Sequence, residues 1–185
     1  MEFMARLDDP IVPADALLSG FRVHLELNNI PKATKTCFRI SQMAVVSGQV
    51  EIMSPADMFY GFLKDKLPQL PQLFPGIYKS FKILEGNEIR DGSVIWIEYE
   101  HGSKMTVTER LEMNESSKSM NFIVIDGDVL KHYSSCKLKI QVNTGNVEVA
   151  IEFEKATEDS PDLGSYIDLL SAVLIQLDAL ILGSA

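Results

Sequence analysis

The chain has 185 residues, 46% of them hydrophobic and 23% charged, with a mean hydropathy near zero, which excludes a wholly disordered chain and fits one globular domain with a tail. The net charge of −9 is uneven: residues 1–43 hold five basic and five acidic side chains, while residues 44–185 hold 12 and 21. So acidic a domain repels phosphate backbones and anionic lipid surfaces, and no Lys or Arg cluster interleaved with aromatics offsets this, so neither nucleic acid nor a membrane is expected as a partner.

Residues 1–43 contain Pro10, Pro13, Gly20 and Pro31 and one alternating run, FRVHLEL, in which Phe21, Val23, Leu25 and Leu27 fit one face of a strand. A lone strand gains little without partners, so residues 1–43 are expected to be a poorly ordered N-terminal extension and residues 44–185 the domain. Met43 directly precedes the first well-patterned segment, which makes it a candidate alternative start. The opening MEFMARLDDP lacks the basic end and apolar run of a secretory signal, and its early acids argue against a transit peptide. A cytoplasmic location is therefore expected. Cys37 and Cys136 stand far apart with no metal-ligand or redox spacing, so two reduced thiols, no metal and no cofactor are expected.

AVVSGQVEIM reads as a strand. SPADMFYGFLKD then reads as a helix, with Ser54 as its cap, Pro55 in its first turn, Asp57 at its positive end, and Met58, Phe59, Phe62 and Leu63 as its apolar stripe. LPQLPQLF places Leu67, Leu70, Leu73 and Phe74 at helical spacing before Pro75 and Gly76 end the run. Six alternating segments follow: IYKSFKILE, SVIWIEYE, SKMTVTERLEM, SMNFIVID, YSSCKLKIQV and NVEVAIEFEK. Their short polar turns give the spacing of an antiparallel meander. Ser160, Pro161 and Asp162 predict the start of a helix running to about Leu182, with Leu163, Tyr166, Ile167, Leu170, Leu174, Leu177 and Ile181 as a continuous stripe. Its core, LLSAVLIQLDALIL, is interrupted by Gln176 and Asp178 and is expected to be too short for a membrane span. The order predicts an α+β fold in which a curved antiparallel sheet grips a long C-terminal helix.

One residue breaks the pattern. In SKMTVTERLEM the apolar face holds Met105, Val107, Leu111 and Met113, and Glu109 falls on that same face. An unpaired carboxylate in a dry core costs several kcal/mol or becomes protonated, so either the face is not sealed or Glu109 has a function.

Over residues 44–182 the segments FPGIYKSFKILEGN, DGSVIWIEYEHG, VTERLEM, VIDGDVLKHYSSCKLKIQV and IEFEKATEDSPD, in this order, resemble the Bet v 1 / major latex protein family, on its major latex protein-like branch. The resemblance implies a START-like helix-grip fold: a seven-stranded curved sheet around the long helix, with two short helices after the first strand. It also implies an internal cavity for a small hydrophobic ligand such as a steroid, flavonoid, hormone or lipid-like metabolite, and a place in defence or stress response. Alternation together with this resemblance draws the ligand-binding lining as Ile97, Tyr99, Val107, Glu109, Leu111, Met120, Phe122, Val124, Cys136, Leu138, Val149, Ile151, Ile167, Leu170 and Leu174.

Relatives with special activities carry residues that this chain lacks. Norcoclaurine synthases pair the matching glutamate with a tyrosine and a lysine, where this chain has Val107 and Met120, so no catalytic residue is assigned. The latch of the abscisic acid receptors is partly echoed in DGDVLKHYSS, but Val129 and Leu130 stand in place of its His-Arg pair. EGNEIRDGS joins two strands and reads as a hairpin turn, His132 as a surface or hydrogen-bonded residue, Trp96 as core packing, and Ser134 as a neighbour of Cys136 on the inner face. The expected function is thus a non-catalytic carrier or sensor. The alternatives are an enzyme using Glu109 as general acid or base and a protein-interaction module working through its acidic face or its N-terminal extension.

Overall fold

The computed structural model describes residues 43–183. The expectations for the N-terminal extension, its FRVHLEL run and Cys37 fall outside the described residues.

Strand β1 (Met43–Glu51) leads into helix α1 (Ala56–Lys66), a 3-10 turn (Leu67–Gln69) and the one-turn helix α2 (Leu70–Leu73). Six strands follow, β2 (Tyr78–Glu85), β3 (Val94–His101), β4 (Ser103–Asn114), β5 (Ser119–Gly127), β6 (Tyr133–Asn143) and β7 (Asn146–Lys155), and then helix α3 (Gly164–Gly183). All seven strands join one antiparallel sheet in the order β1-β7-β6-β5-β4-β3-β2. The meander follows from the tight turns: Gly102 and Gly145 adopt positive φ values of 71° and 83° in the connections after β3 and β6, a conformation that costs glycine little.

Four bulges bend the sheet. Its register shifts between Tyr78 and Ser80, between Ile83 and Glu85, between Tyr133 and Ser135, and opposite Thr108 and Glu109, leaving Lys79, Leu84, Ser134 and Ile125 as extra residues. A bulge adds local twist and reverses the in-out alternation beyond it. This accounts for Leu84 and Ile125, exposed by 53% and 41% although both are apolar. It also corrects the expectation for Ser134, which is exposed and reaches Glu154, while Tyr133 takes the inner face at 3% exposure.

α3 lies along the concave face, where Val173, Leu174, Leu177 and Ile181 are buried. It packs closely at β1, where a Cβ added to Gly48 would stand 2.7 Å from the Ile167 methyl. At 20 residues and a hydropathy of 1.7 it is, contrary to expectation, long and apolar enough by composition to cross a bilayer. In this fold its apolar stripe is spent on the sheet, while Ile175, Leu180 and Leu182 remain exposed.

Three local expectations change. The Ser54 hydroxyl does not cap α1: it donates to Asp178 on α3, which also accepts the backbone N–H groups of Met53 at 2.9 Å and Ser54 at 3.1 Å. Ser160 does not start α3, which begins four residues later at Gly164; its hydroxyl instead donates to the His132 carbonyl at 2.7 Å. Trp96 is not in the core: it sits on the outer face opposite Lys82, whose ammonium lies 4.7 Å from the ring centroid.

Candidate functional site

A cavity of about 130 Å³ lies between α3 and the concave face of β2 to β7. β3 contributes Ile97 and Tyr99, β4 Val107 and Glu109, β5 Phe122 and Val124, β6 Cys136 and Leu138, β7 Ile151, and α3 Leu170 and Leu174. These eleven come from the lining drawn on the sequence.

Four other residues of that lining do not reach the cavity. Leu111 and Met120, both 0% exposed, lie toward the β4–β5 turn, the end of the sheet that α1 covers, where Tyr60 donates to the Ser119 carbonyl. Val149 pairs with Gly48, and Ile167 packs against that same glycine, so both belong to the solid seam between α3 and β1. Correct facing did not place them in the hollow part, because distance from the covering helices differs along each strand.

Eleven further lining residues were not in the lining drawn on the sequence. Leu63, Leu67 and Leu70 of α1 and the turns after it line one side, Val129 enters from the 3-10 turn after β5, Leu163 stands just before α3, and Tyr166, Leu169, Val173 and Leu177 extend the α3 wall. Most of these were visible as helical stripes, but stripes do not say which cavity they face. Ile140 follows Leu138 by two on β6, a signal that alternation did contain. Tyr78 could not be read, because the bulge at Lys79 lets Tyr78 and Phe81 share the inner face.

Glu109 stands on β4 between Ile95 and Val124. It is 9% exposed and, among the described residues, accepts no hydrogen bond and forms no ion pair. Burial pushes its carboxyl up to about 7, because the charged form loses water without gaining a partner. The other titratable groups in the lining are Tyr78, Tyr99, Tyr166 and Cys136; no Lys, Arg or His lines the cavity among the described residues. Burial, with the Glu109 charge as a further cause, raises Tyr78 and Tyr99 and pushes the Cys136 thiol up to about 12. These groups therefore remain neutral hydrogen-bonding partners near pH 7, and Cys136 is no activated nucleophile.

A polar cluster stands at the start of α3 beside the cavity. The Tyr99 and Tyr166 hydroxyls lie 3.4 Å apart, Tyr166 donates to the Met105 sulfur at 3.2 Å, and His101 bonds Ser165 at 2.9 Å while its ring stacks 4.3 Å from Tyr166. The segment after β5 is held by Asp128, which accepts the Thr106 N–H at 2.7 Å and the Thr106 hydroxyl at 3.0 Å. The Lys131 ammonium and then the Thr106 donors hold its carboxyl down to about 2. Gly127 at φ 117° brings this turn against Thr106, where a Cβ would sit 2.4 Å from a backbone oxygen. The EGNEIRDGS segment is a hairpin connection that buries Ile89 in the core. His132 is exposed, with its ring near Tyr133. Among the described residues no group of His, Cys, Asp and Glu is placed to hold a metal ion.

Residues 41–184 match the pathogenesis-related protein Bet v 1 family. The chain is 33% identical over 125 residues to MLP-like protein 423 of Arabidopsis thaliana, covering 64% of this chain and 81% of that protein. It is 26% identical to the crystal structure of major latex-like protein 151 from Panax ginseng, with a TM-score of 0.69 over 74% of this chain and 96% of that one. Norcoclaurine synthase from Thalictrum flavum shares the fold alone, at 15% identity and a TM-score of 0.67 over 85% of this chain and 98% of that one.

Proposed function

The chain belongs to the pathogenesis-related protein Bet v 1 family, and from that premise we propose that it is a non-catalytic carrier or sensor that holds a small hydrophobic metabolite. The observation that carries this reading is the hollow of about 130 Å³ walled by aliphatic and aromatic side chains with Glu109 as its single carboxylate. Such a lining, apolar with one polar handle, orients a ligand without supplying a reaction path. A cytoplasmic location completes the reading, and so does a role in defence or stress response, which rests on the family alone. The test is titration with an environment-sensitive hydrophobic dye and displacement by plant lipids and phenolics. Saturable binding that disappears in Leu170→Trp, which fills the hollow from α3, is the expected result. Absence of saturable binding by the parent protein overturns it.

The elevated Glu109 carboxyl favours a second reading, an enzyme using Glu109 as proton donor or acceptor. Val107 lines the cavity where norcoclaurine synthases have a tyrosine, and Met120, in place of their lysine, is buried outside it. General acid-base work would thus rest on one carboxyl group. Turnover that is lost in Glu109→Gln while ligand affinity is kept supports the enzyme; changed affinity with no turnover in either protein supports the carrier.

A further inference from the structure

The cavity holds a carboxyl group that the protein leaves uncompensated. Glu109 lines the hollow at 9% exposure and, among the described residues, has neither hydrogen bond nor ion pair. In that place an ionised carboxylate depends on water for its solvation, because burying an unpaired charge costs far more than burying the neutral acid. A ligand that fills the hollow takes the place of that water.

Resting on the carrier reading, we propose that ligand binding in the hollow is coupled to proton uptake at Glu109, so that a neutral apolar ligand is held while this carboxyl carries its proton and is released when the proton leaves.

Three arguments carry the coupling. The first is the lining. β5, β7, α1 and the 3-10 turn after β5 present only apolar side chains to the hollow, and no Lys, Arg or His lines it among the described residues. No protein cation therefore stabilises the carboxylate once a neutral ligand has displaced water. The second is the place of the group on the pH scale. Burial already pushes the Glu109 carboxyl up to about 7, and drier surroundings push it further, because desolvation penalises only the charged form. The third is the company it keeps. Tyr78 on β2, Tyr99 on β3, Cys136 on β6 and Tyr166 on α3 face the same space, and burial raises all four. They stay neutral while Glu109 titrates, and so act as hydrogen-bonding neighbours instead of competing switches. His101 stacks on Tyr166 and bonds Ser165 without lining the hollow.

The sign follows from linkage. A ligand that binds only the protonated form keeps its full affinity below about pH 7 and loses it about tenfold per pH unit above. Binding near pH 8 draws about 0.9 of a proton from the buffer onto a Glu109 carboxylate oxygen, and release returns it. The protein thus loads in mildly acidic surroundings and unloads in mildly alkaline ones.

The experiment is calorimetric titration of the full chain and of its Glu109→Gln variant with acetophenone, a neutral one-ring ketone that does not itself titrate. Two buffers of different ionisation enthalpy report the protons taken up. The expected result is an affinity about tenfold weaker near pH 8 than near pH 6, with uptake of about 0.9 of a proton at the higher pH. In Glu109→Gln the affinity should change by less than about twofold over the same range, with no uptake. Infrared difference spectra of the parent protein near pH 8 should show a protonated carboxyl band growing as acetophenone binds, and this decides the question even if Glu109→Gln does not fold. An affinity independent of pH, no such band, proton release on binding, or a pH dependence that survives Glu109→Gln overturns the proposal while leaving the carrier reading intact. Failure of acetophenone to bind at either pH overturns it too, and the carrier reading falls with it when the hydrophobic dye also fails to bind.

Discussion

The space between α3 and the sheet has two unlike parts, each with a buried carboxylate. Over β1 the seam is solid: Ile167 meets Gly48, and Asp178, 7% exposed, accepts three hydrogen bonds from Met53 and Ser54. Over the middle strands the space is hollow, and Glu109, 9% exposed, accepts none among the described residues. Burial pushes both carboxyls up, but at Asp178 the donors of Met53 and Ser54 outweigh it and hold the group below its ordinary range, whereas Glu109 rises to about 7. Similar solvent exposure thus goes with opposite shifts, because Glu109 lies deeper in the protein and has no donor, whereas Asp178 lies nearer the surface and has three. One carboxylate fastens the helix, and the other is left with capacity to bind something else.

The largest expected effect comes from removing the fastener. Asp178→Ala strands the Ser54 N–H and hydroxyl in a buried site and frees the Met53 N–H in a partly buried one, and a loss of about 3 kcal/mol is expected in denaturant unfolding. A change under about 1 kcal/mol would show that the seam does not depend on these bonds.

The next effect has the opposite sign. The folded pKa of Glu109 is raised, so the stability it contributes is fully present below the ordinary carboxylate range and is lost as pH rises through about 7. Glu109→Gln removes that loss, so the variant should be more stable than the parent by about 3 kcal/mol near pH 8 and nearly equal near pH 4. Asp178 works the other way: its folded pKa is lowered, so its contribution is present above the ordinary range and lost as pH falls through the folded value. The stability difference of each variant from the parent, plotted against pH, should therefore slope oppositely for the two sites, and parallel slopes would break the comparison.

Smaller effects probe packing. Gly48→Ala places a methyl 2.7 Å from a β-branched side chain that has little freedom to move, and a loss of about 2 kcal/mol is expected by thermal unfolding. In the hollow part Leu138→Phe should change stability by less than about 1 kcal/mol, because space exists for the added atoms, while dye binding falls. A large loss at Leu138 would mean that the two parts are packed alike.

Much of the fold was legible in the chain. Every strand from β1 to β7 lies within two residues of its predicted bounds, because alternation is a local signal that depends on one buried face. Eight of the nine β-strand residues that the hollow took from the predicted lining lie on β3 to β6, on stretches between the bulges where alternation is kept. The failures have three physical sources. Bulges at Lys79 and Ser134 reset parity, which hid Tyr78 and misplaced Ser134. Ser54 and Ser160 look like caps in the sequence, yet their hydroxyls bond Asp178 and His132, residues far away in the chain. Asp178 read as an interruption of an apolar helix, whereas it is a ligand for backbone donors that only the folded chain brings near it.

The sequence by itself determined the order of elements, the apolar inner face, the acid on that face and the family to which the chain belongs. These follow from period and composition, which neighbouring residues carry among themselves. Only the tertiary structure decided that the seam over β1 is solid and the middle hollow, that Glu109 lacks a partner among the described residues, and that Leu111, Met120, Val149 and Ile167 belong to packing instead of the cavity. Those facts depend on how far a curved sheet stands from the helix at each point, a distance set jointly by bulges, Gly48 and the clamp at Asp178, none of which any single segment encodes.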